Sequence, residues 1–344
     1  ALMAAMFALY GLSLSATTPF LALLVDVSDE STKSKLVGIS WSMLMVGIIV
    51  GVIIVKVLTD SLDANSTIAE LRGPINRLFI VAPAIVCGIT ILSTAGIEKR
   101  YSKRSQRSIT RDGGDNIPLG KALKVLTASP QTSLFFSFLL VLILSLFTQN
   151  AVLEPYGNEV FGMSVDETTS LNAFFGMGTL IGILSTGFVL MPLLGKKLTV
   201  KIGCMAASVF LIGLIAVGYT GQPVALQGAV GLFGLSAGVL TTGSTVLMID
   251  LTAAETAGTF IGAWGLAQAV AQGIASLVGG GLLTLGKAIA GIETPTQLVM
   301  AYGLVFFAQA IGMLVAIALV SRVNIQSFQL DAKQAINAAI ESDL

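Results

Sequence analysis

The sequence predicts an all-α polytopic membrane protein, and three observations lead to that prediction. Hydrophobic residues make up 54% of the 344 residues and charged residues only 11%, whereas soluble domains carry about 25% charged residues. Nine segments are apolar over the roughly 20 residues that a spanning helix needs. Two polar turns, 224 residues apart, resemble one another, and such internal repeats are typical of transporter-like helix bundles.

The nine segments alternate with short polar stretches along the chain. A water-soluble core could not absorb this much apolar surface, so we expect each segment to cross the bilayer. Their expected bounds are 1–25, 36–59, 76–96, 132–152, 168–193, 199–219, 223–249, 257–285 and 298–321.

The repeat lies in the turns at 25–41 and 249–264, and each copy is a short polar turn between two apolar runs. The copies share an acidic residue and a glycine in strict register, while the tryptophan slips by one position. The equivalent residues are Asp26 with Asp250 and Gly38 with Gly262 (250 − 26 = 262 − 38 = 224).

This repeat also indicates how the segments are grouped. The second copy joins the fourth and fifth helices of a set of six that begins near Thr132. If the halves are equivalent, the first copy joins the fourth and fifth helices of its own set, and three helices precede Ala1. We therefore expect a two-by-six bundle, which resembles the major facilitator superfamily, with nine helices visible and the first three missing.

The grouping divides the chain into four parts: three helices of the N-terminal half (1–96), a linker (97–131), the six-helix C-terminal half (132–321) and a tail (322–344). The linker contains eight lysines and arginines between Lys99 and Lys124. The positive-inside rule therefore places it in the cytoplasm, and helix parity places both repeated turns and the tail on the same side. The linker could also bind anionic lipid.

Several function classes lose support from what the sequence lacks. There is no histidine and the net charge is zero, so neither a histidine-based metal site nor a nucleic-acid partner is expected. Cys87 and Cys204 lie in apolar runs, where small core residues are more common than metal ligands. No phosphate-binding loop, metal cluster or nucleophile–base pair is evident, so an enzyme is the weakest option.

The last six segments contain no charged residue away from their ends, so this half offers no proton or sodium relay. Their polar residues are hydroxyls and amides, and most of the amides can satisfy one another across helices. A cavity lined in this way suits a large, mostly apolar molecule. The amides are Gln149, Asn150, Asn172, Gln268, Gln272 and Gln309.

The acidic turns have two open interpretations. Their residues can cap helix ends in a purely structural role. They can also lock a cytoplasmic gate by pairing with lysines or helix ends of the opposite half. The gate candidates are Asp26, Gly38, Asp250 and Gly262.

Glycines recur at a spacing of four in several segments, as at Gly47 and Gly51 or Gly234 and Gly238. This spacing puts them on one helix face, where they permit close backbone approach. The same seams could pack tightly or slide during rocking of the halves.

Three stretches of the chain carry a narrower resemblance. The block AVLEPYGNEVFGMSVDETTSLN at 151–172, together with ISWSMLMVGIIVG at 39–51 and GTFIGAWGLAQAVAQG at 258–273, resembles the bacteriochlorophyll delivery family, the PucC-type branch of the facilitator superfamily. The resemblance implies handling of chlorophyll or bacteriochlorophyll, or assistance to the assembly of light-harvesting or photosystem proteins. It also implies a thylakoid or intracytoplasmic photosynthetic membrane, and partners among lipids, pigment and light-harvesting, photosystem or chlorophyll-synthesis proteins.

A pigment cargo needs apolar walls and a few polar contacts. Without histidine, its magnesium would bind an amide or carboxylate oxygen, a backbone carbonyl or a bridging water. The candidate contacts lie at the outward end of the fourth and fifth segments and on the eighth, although helix-end and interfacial roles explain them equally well. These candidates are Gln149, Asn150, Glu154, Tyr156, Asn172, Trp264 and Gln268.

Two other functions remain open. An ordinary facilitator of a small solute would carry its coupling carboxylate in the unseen helices. A scaffold that does not transport would dock other membrane proteins on its lipid-facing helices or its tail. Residues 327–344 place apolar side chains at helical spacing, which predicts a short interfacial helix.

Overall fold

The computed structural model describes residues 32–59, 130–251 and 257–324, together with Leu21, Leu24, Ser327 and nine isolated helical positions between 73 and 89. No strand occurs among these residues. The first segment, most of the third, nearly all of the linker and the tail beyond Ser327 lie outside the described residues. Asp26 of the first repeated turn lies outside them as well.

Nine α-helices are continuous within the described ranges. They are α1 (Lys33–Thr59), α2 (Pro130–Phe147), α3 (Leu153–Phe161), α4 (Val165–Ser185), α5 (Met191–Leu194), α6 (Lys196–Gly218), α7 (Pro223–Asp250), α8 (Ala257–Ala290) and α9 (Pro295–Arg322). A 3-10 turn, Thr148–Ala151, separates α2 from α3, and a π turn, Thr186–Leu190, separates α4 from α5.

Seven of the described helical stretches are long and apolar enough to cross a membrane. They correspond to the second and the fourth to ninth of the expected segments, so the prediction of an all-α polytopic membrane protein is confirmed. The spans are Lys33–Gly51, Pro130–Ala151, Glu167–Leu194, Lys196–Gly218, Pro223–Asp250, Ile261–Ala290 and Pro295–Arg322.

The chain divides into two compact units. The first comprises Ala1–Asp29 and Ser40–Asn116, and the second comprises Glu30–Ile39 and Ile117–Leu344. The second unit therefore holds α2 to α9 and the first two turns of α1. All contacts described below lie within this second unit.

Helix starts in the second unit follow local capping rules. Ser164 caps α4 and forms a reciprocal capping box with Glu167. Thr294 caps α9 in the same way with Gln297, and Pro295 occupies the first helical position. These side chains satisfy backbone N–H groups that a helix start leaves without partners.

The seam between α4 and α7 is the closest helix contact in the second unit. A Cβ atom added at Gly182 would overlap the carbonyl oxygen of Leu235, and one at Gly238 would overlap the carbonyl oxygen of Thr179. Gly178 is enclosed in the same way. The two backbones are therefore in direct contact, which only glycine permits at this separation.

Helices α7 and α8 differ most in how far the protein encloses them. In the most apolar part of α7, 83% of the residues are buried, and every residue from Thr242 to Asp250 is buried. The corresponding fraction for α8 is 22%. Among helices wholly within the second unit, α7 is thus the central one and α8 is peripheral.

Candidate functional site

A buried carboxylate ends α7. The side chain of Asp250 is 3% exposed, and its two oxygens bind different lysines. Lys33 Nζ lies 2.6 Å from Oδ1, and Lys196 Nζ lies 2.8 Å from Oδ2. Both lysine side chains are largely enclosed, at 13% and 20% exposure.

This ion-pair cluster joins three helix ends. Lys33 opens α1, Lys196 opens α6 and Asp250 closes α7, so these ends lie at one face of the bundle. Lys33 belongs to the first repeated turn and Asp250 to the second, so the contact links the two copies. An ion pair this deeply enclosed stabilises the bundle only while both partners stay charged and hydrogen-bonded.

The two gate glycines have different surroundings. A Cβ at Gly38 would lie 3.1 Å from the Cα of Gly187 in the π turn, whereas a Cβ at Gly262 would meet nothing within 4 Å. The structure thus brings Gly38 and Asp250 to the same end of the second unit and leaves Gly262 on an open surface of α8. The gate role of these residues stays a prediction.

The polar candidates near the junction of α2 and α3 form two local pairs. Asn172 Nδ2 donates to Glu154 Oε1 at 2.8 Å, on exposed surfaces of α4 and α3. Gln149 is buried and its Nε2 reaches Asn150 Oδ1 only at 3.5 Å, which is long for a hydrogen bond. Four of the seven pigment candidates therefore lie close in sequence and space, but their polar groups face different surroundings.

Tyr156 lies beside these residues but points into the bundle. Its hydroxyl donates to the carbonyl oxygen of Leu214 at 2.8 Å, and the side chain is fully buried. Its ring packs at 5.0 Å from Tyr302, 5.1 Å from Phe306 and 5.3 Å from Phe161, between centroids. Burial raises the pKa of the Tyr156 phenol, so the group remains a neutral donor.

Trp264 and Gln268 lie far from the other candidates. Gly279 of α8 contacts Thr148, because a Cβ there would be 2.6 Å from the Thr148 carbonyl oxygen. Trp264 precedes Gly279 by 15 residues, which is about 22 Å along a helix. The seven pigment candidates therefore fall into two groups, near opposite ends of the bundle.

Several polar contacts were not predicted as part of a site. Lys33 and Lys196 were not among the predicted site residues, because sequence cannot show which carboxylate a lysine reaches. Lys287 binds Glu159 at 2.6 Å and lies 5.6 Å above the Tyr302 ring. Gln309 is buried in the middle of α9, and neither of its amide atoms has a partner among the described residues.

No group of three or more histidine, cysteine, aspartate or glutamate residues in the described part of the chain could hold a metal ion. The free thiol of Cys204 is fully buried in α6. Among the described residues of the second unit, the main polar features are thus the Asp250 ion-pair cluster, the Lys287–Glu159 ion pair, the Glu154–Asn172 pair and a set of buried amides and hydroxyls.

Comparison with known proteins gives one family. The family model described as PUCC protein matches residues 1–328. The chain is 30% identical to the bacteriochlorophyll synthase 44.5 kDa chain of Rhodobacter capsulatus, over 89% of this chain and 68% of that protein. It is 26% identical to Protein PucC of Rhodobacter capsulatus, over 88% and 63%, and 25% identical to Protein PucC of Rhodovulum sulfidophilum, over 76% and 55%. The chain thus spans between about half and two thirds of the length of these relatives.

Proposed function

Because the chain belongs to the PucC family, we propose that it takes part in the biogenesis of photosynthetic pigment–protein complexes. The observation that carries this proposal is the family match over residues 1–328, joined to a relative named for bacteriochlorophyll synthesis. The apolar spans and the lack of mid-membrane charge in the last six segments are consistent with a pigment cargo.

The finer form of the proposal is that the protein holds chlorophyll or bacteriochlorophyll and passes it to a light-harvesting or photosystem protein. It acts in a photosynthetic membrane, thylakoid or intracytoplasmic, with its basic linker and tail in the cytoplasm. The six helices of 132–321 form one half of a two-by-six bundle, and residues 1–96 belong to the other half. Catalysis is not part of the proposal.

Within this scheme, the ion-pair cluster of Asp250, Lys33 and Lys196 locks the cytoplasmic end of the bundle. The lock is supported by its burial and by its position between the two repeated turns. Separating these helix ends would require both ion pairs to break, so the cluster favours the closed arrangement. Gly38 lets α1 approach Gly187 closely enough for Lys33 to reach the carboxylate.

The test is to purify the full-length protein under mild conditions from its native membrane and to record its absorption spectrum, its extracted pigments and its co-purifying proteins. Stoichiometric pigment that survives washing supports pigment handling. A constant protein companion without pigment would instead favour a scaffold that assists assembly. If the protein carries no pigment and has no constant protein companion, the result would contradict the proposal and would favour a facilitator of a small solute.

A further inference from the structure

Two buried glutamines have amide atoms with no hydrogen-bond partner among the described residues. Gln309 is 3% exposed and both its Oε1 and its Nε2 lack a partner. Gln149 is 2% exposed and its Oε1 lacks a partner. The expectation that such amides satisfy one another across helices therefore fails for this pair.

The two amides lie at the same level of one seam. Helices α2 and α9 run antiparallel, since Asn324 N donates to Gln131 Oε1 at one end and a Cβ at Gly312 would overlap Ser145 Oγ further along. Gln149 follows Ser145 by one turn, and Gln309 precedes Gly312 by about one turn. Because the two helices are antiparallel, the step from Ser145 to Gln149 and the step from Gly312 to Gln309 lead towards the same end of the seam. Both side chains therefore lie at the same depth in the bundle.

A buried polar group without a partner destabilises the fold, and because nearly all buried polar groups in proteins are hydrogen-bonded, these two amides call for a partner. Both amide oxygens are acceptors, and the Gln309 amide nitrogen is a donor. A ligand that satisfies these groups must offer an electron-poor centre, such as a metal ion, to an amide oxygen. It must also offer a hydrogen-bond acceptor to the N–H group of Gln309.

We propose that Gln149 and Gln309 form a binding site for a magnesium chlorin, an inference that rests on the proposed function. An amide oxygen serves as the axial magnesium ligand, and the Gln309 amide nitrogen donates to a carbonyl at the ring edge. Magnesium prefers oxygen ligands, and a chain without histidine has no imidazole for this role. Phe306 lies one turn from Gln309 and belongs to the aromatic group around Tyr156, which provides an apolar wall.

Helix α8 covers this seam, and the chlorin ring reaches the two amides when α8 is displaced. It packs against α2, the 3-10 turn and α9, with Gly279 on Thr148 and Gly286 on Ala301. Its outward end is held by the partly exposed Lys287–Glu159 ion pair, at 29% and 35% exposure. Another face of α8 is open at Gly273 and Gly280, where an added Cβ would meet nothing within 4 Å.

The experiment uses the full-length protein in mild detergent, titrated with bacteriochlorophyll a and, separately, with magnesium-free bacteriopheophytin a. Gln149→Leu and Gln309→Leu are compared with Gln272→Leu, which changes an exposed glutamine of α8. We expect each of the first two variants to weaken bacteriochlorophyll binding by about tenfold or more, equivalent to about 1.4 kcal/mol. Gln272→Leu should leave affinity unchanged, and bacteriopheophytin should bind the wild type as weakly as bacteriochlorophyll binds the variants.

Correct folding of each variant is checked by the protection of the buried Cys204 thiol from a maleimide, in a background in which every other cysteine of the protein is replaced by serine. Equal binding of the two pigments, or unchanged binding in the folded leucine variants, would overturn the site while leaving pigment handling intact. Failure of the wild type to bind either pigment would overturn the site and the pigment-holding role together. A change in the magnesium coordination bands of the resonance Raman spectrum in either leucine variant would support direct ligation.

Discussion

The α4–α7 seam and helix α8 both carry glycines at helical spacing, yet the structure encloses them to different extents. Between α4 and α7 the glycines allow backbone contact, and the seam ends at the buried Asp250 cluster. On α8, Gly279 and Gly286 contact neighbouring backbone, but Gly262, Gly265 and Gly273 face open space, and the Lys287–Glu159 ion pair is partly exposed. The comparison shows an enclosed seam on one side of the bundle and a partly enclosed helix on the other, and we expect the seam to be the rigid side and α8 the separable side.

On the rigid side, the substitution with the largest expected loss of unfolding free energy is Asp250→Asn. The amide cannot neutralise Lys33 and Lys196, whose ammonium groups are mostly enclosed. Loss of one partner from a buried ion pair costs about 3–5 kcal/mol of unfolding free energy. Unfolding by SDS in mixed micelles, followed by maleimide labelling of Cys204, measures this loss.

Glu293→Gln is the matched control for that change, because Glu293 is exposed in the turn before α9. Its unfolding midpoint should stay at the wild-type value. An Asp250→Asn midpoint equal to that of the control would show that the cluster does not hold the helix ends together.

A second break of the rigid side is Gly182→Ala. The added methyl group would overlap the Leu235 carbonyl oxygen, and a backbone atom cannot move aside as a side-chain tip can. We expect a loss of about 3 kcal/mol, at the upper end for overpacking. Gly176→Ala is the control, since its Cβ meets nothing within 4 Å, and it should be neutral or stabilising by up to about 1 kcal/mol. Equal losses in both variants would contradict the seam.

On the separable side, Gly279→Ala and its neighbour Gly280→Ala form a matched pair. A Cβ at Gly279 would lie 2.6 Å from the Thr148 carbonyl oxygen, whereas one at Gly280 meets nothing. Because α8 is enclosed on fewer sides than α4 and α7, we expect it to shift and Gly279→Ala to cost less than Gly182→Ala, about 1–2 kcal/mol. In the same SDS titration, a Gly279→Ala loss as large as that of Gly182→Ala would show that α8 is as rigid as the core.

The sequence predicts the membrane class and the family of this chain well. Nine segments were predicted, and seven spans lie in the described residues, because a run of roughly 20 apolar residues is a strong and local signal. The PucC resemblance rested on the motif around Glu154 and Tyr156, and the family match confirms it.

The site was less predictable, because it depends on which helix faces meet. The glycine spacing around Gly182 resembles that around Gly262, but only the tertiary structure shows that Gly182 is enclosed and Gly262 is open. Likewise, Lys196 and Asp250 are 54 residues apart, and nothing in their local sequence shows that they pair. The position of the two buried amides could not be predicted either, because it depends on the antiparallel register of α2 and α9, which is set by packing.

The smallest expected effect on stability, and the sharpest test of the comparison, is Lys287→Gln. The Lys287–Glu159 pair is partly exposed, so its loss should lower the unfolding free energy by no more than about 1 kcal/mol, and salt should reduce even that difference. If the pair holds α8 over the seam, the same variant should exchange bound bacteriochlorophyll faster than the wild type, as measured by stopped-flow transfer to empty micelles. Slower or unchanged exchange would place α8 with the rigid side of the bundle, because a helix that separates to admit cargo must respond when its contact with Glu159 is weakened.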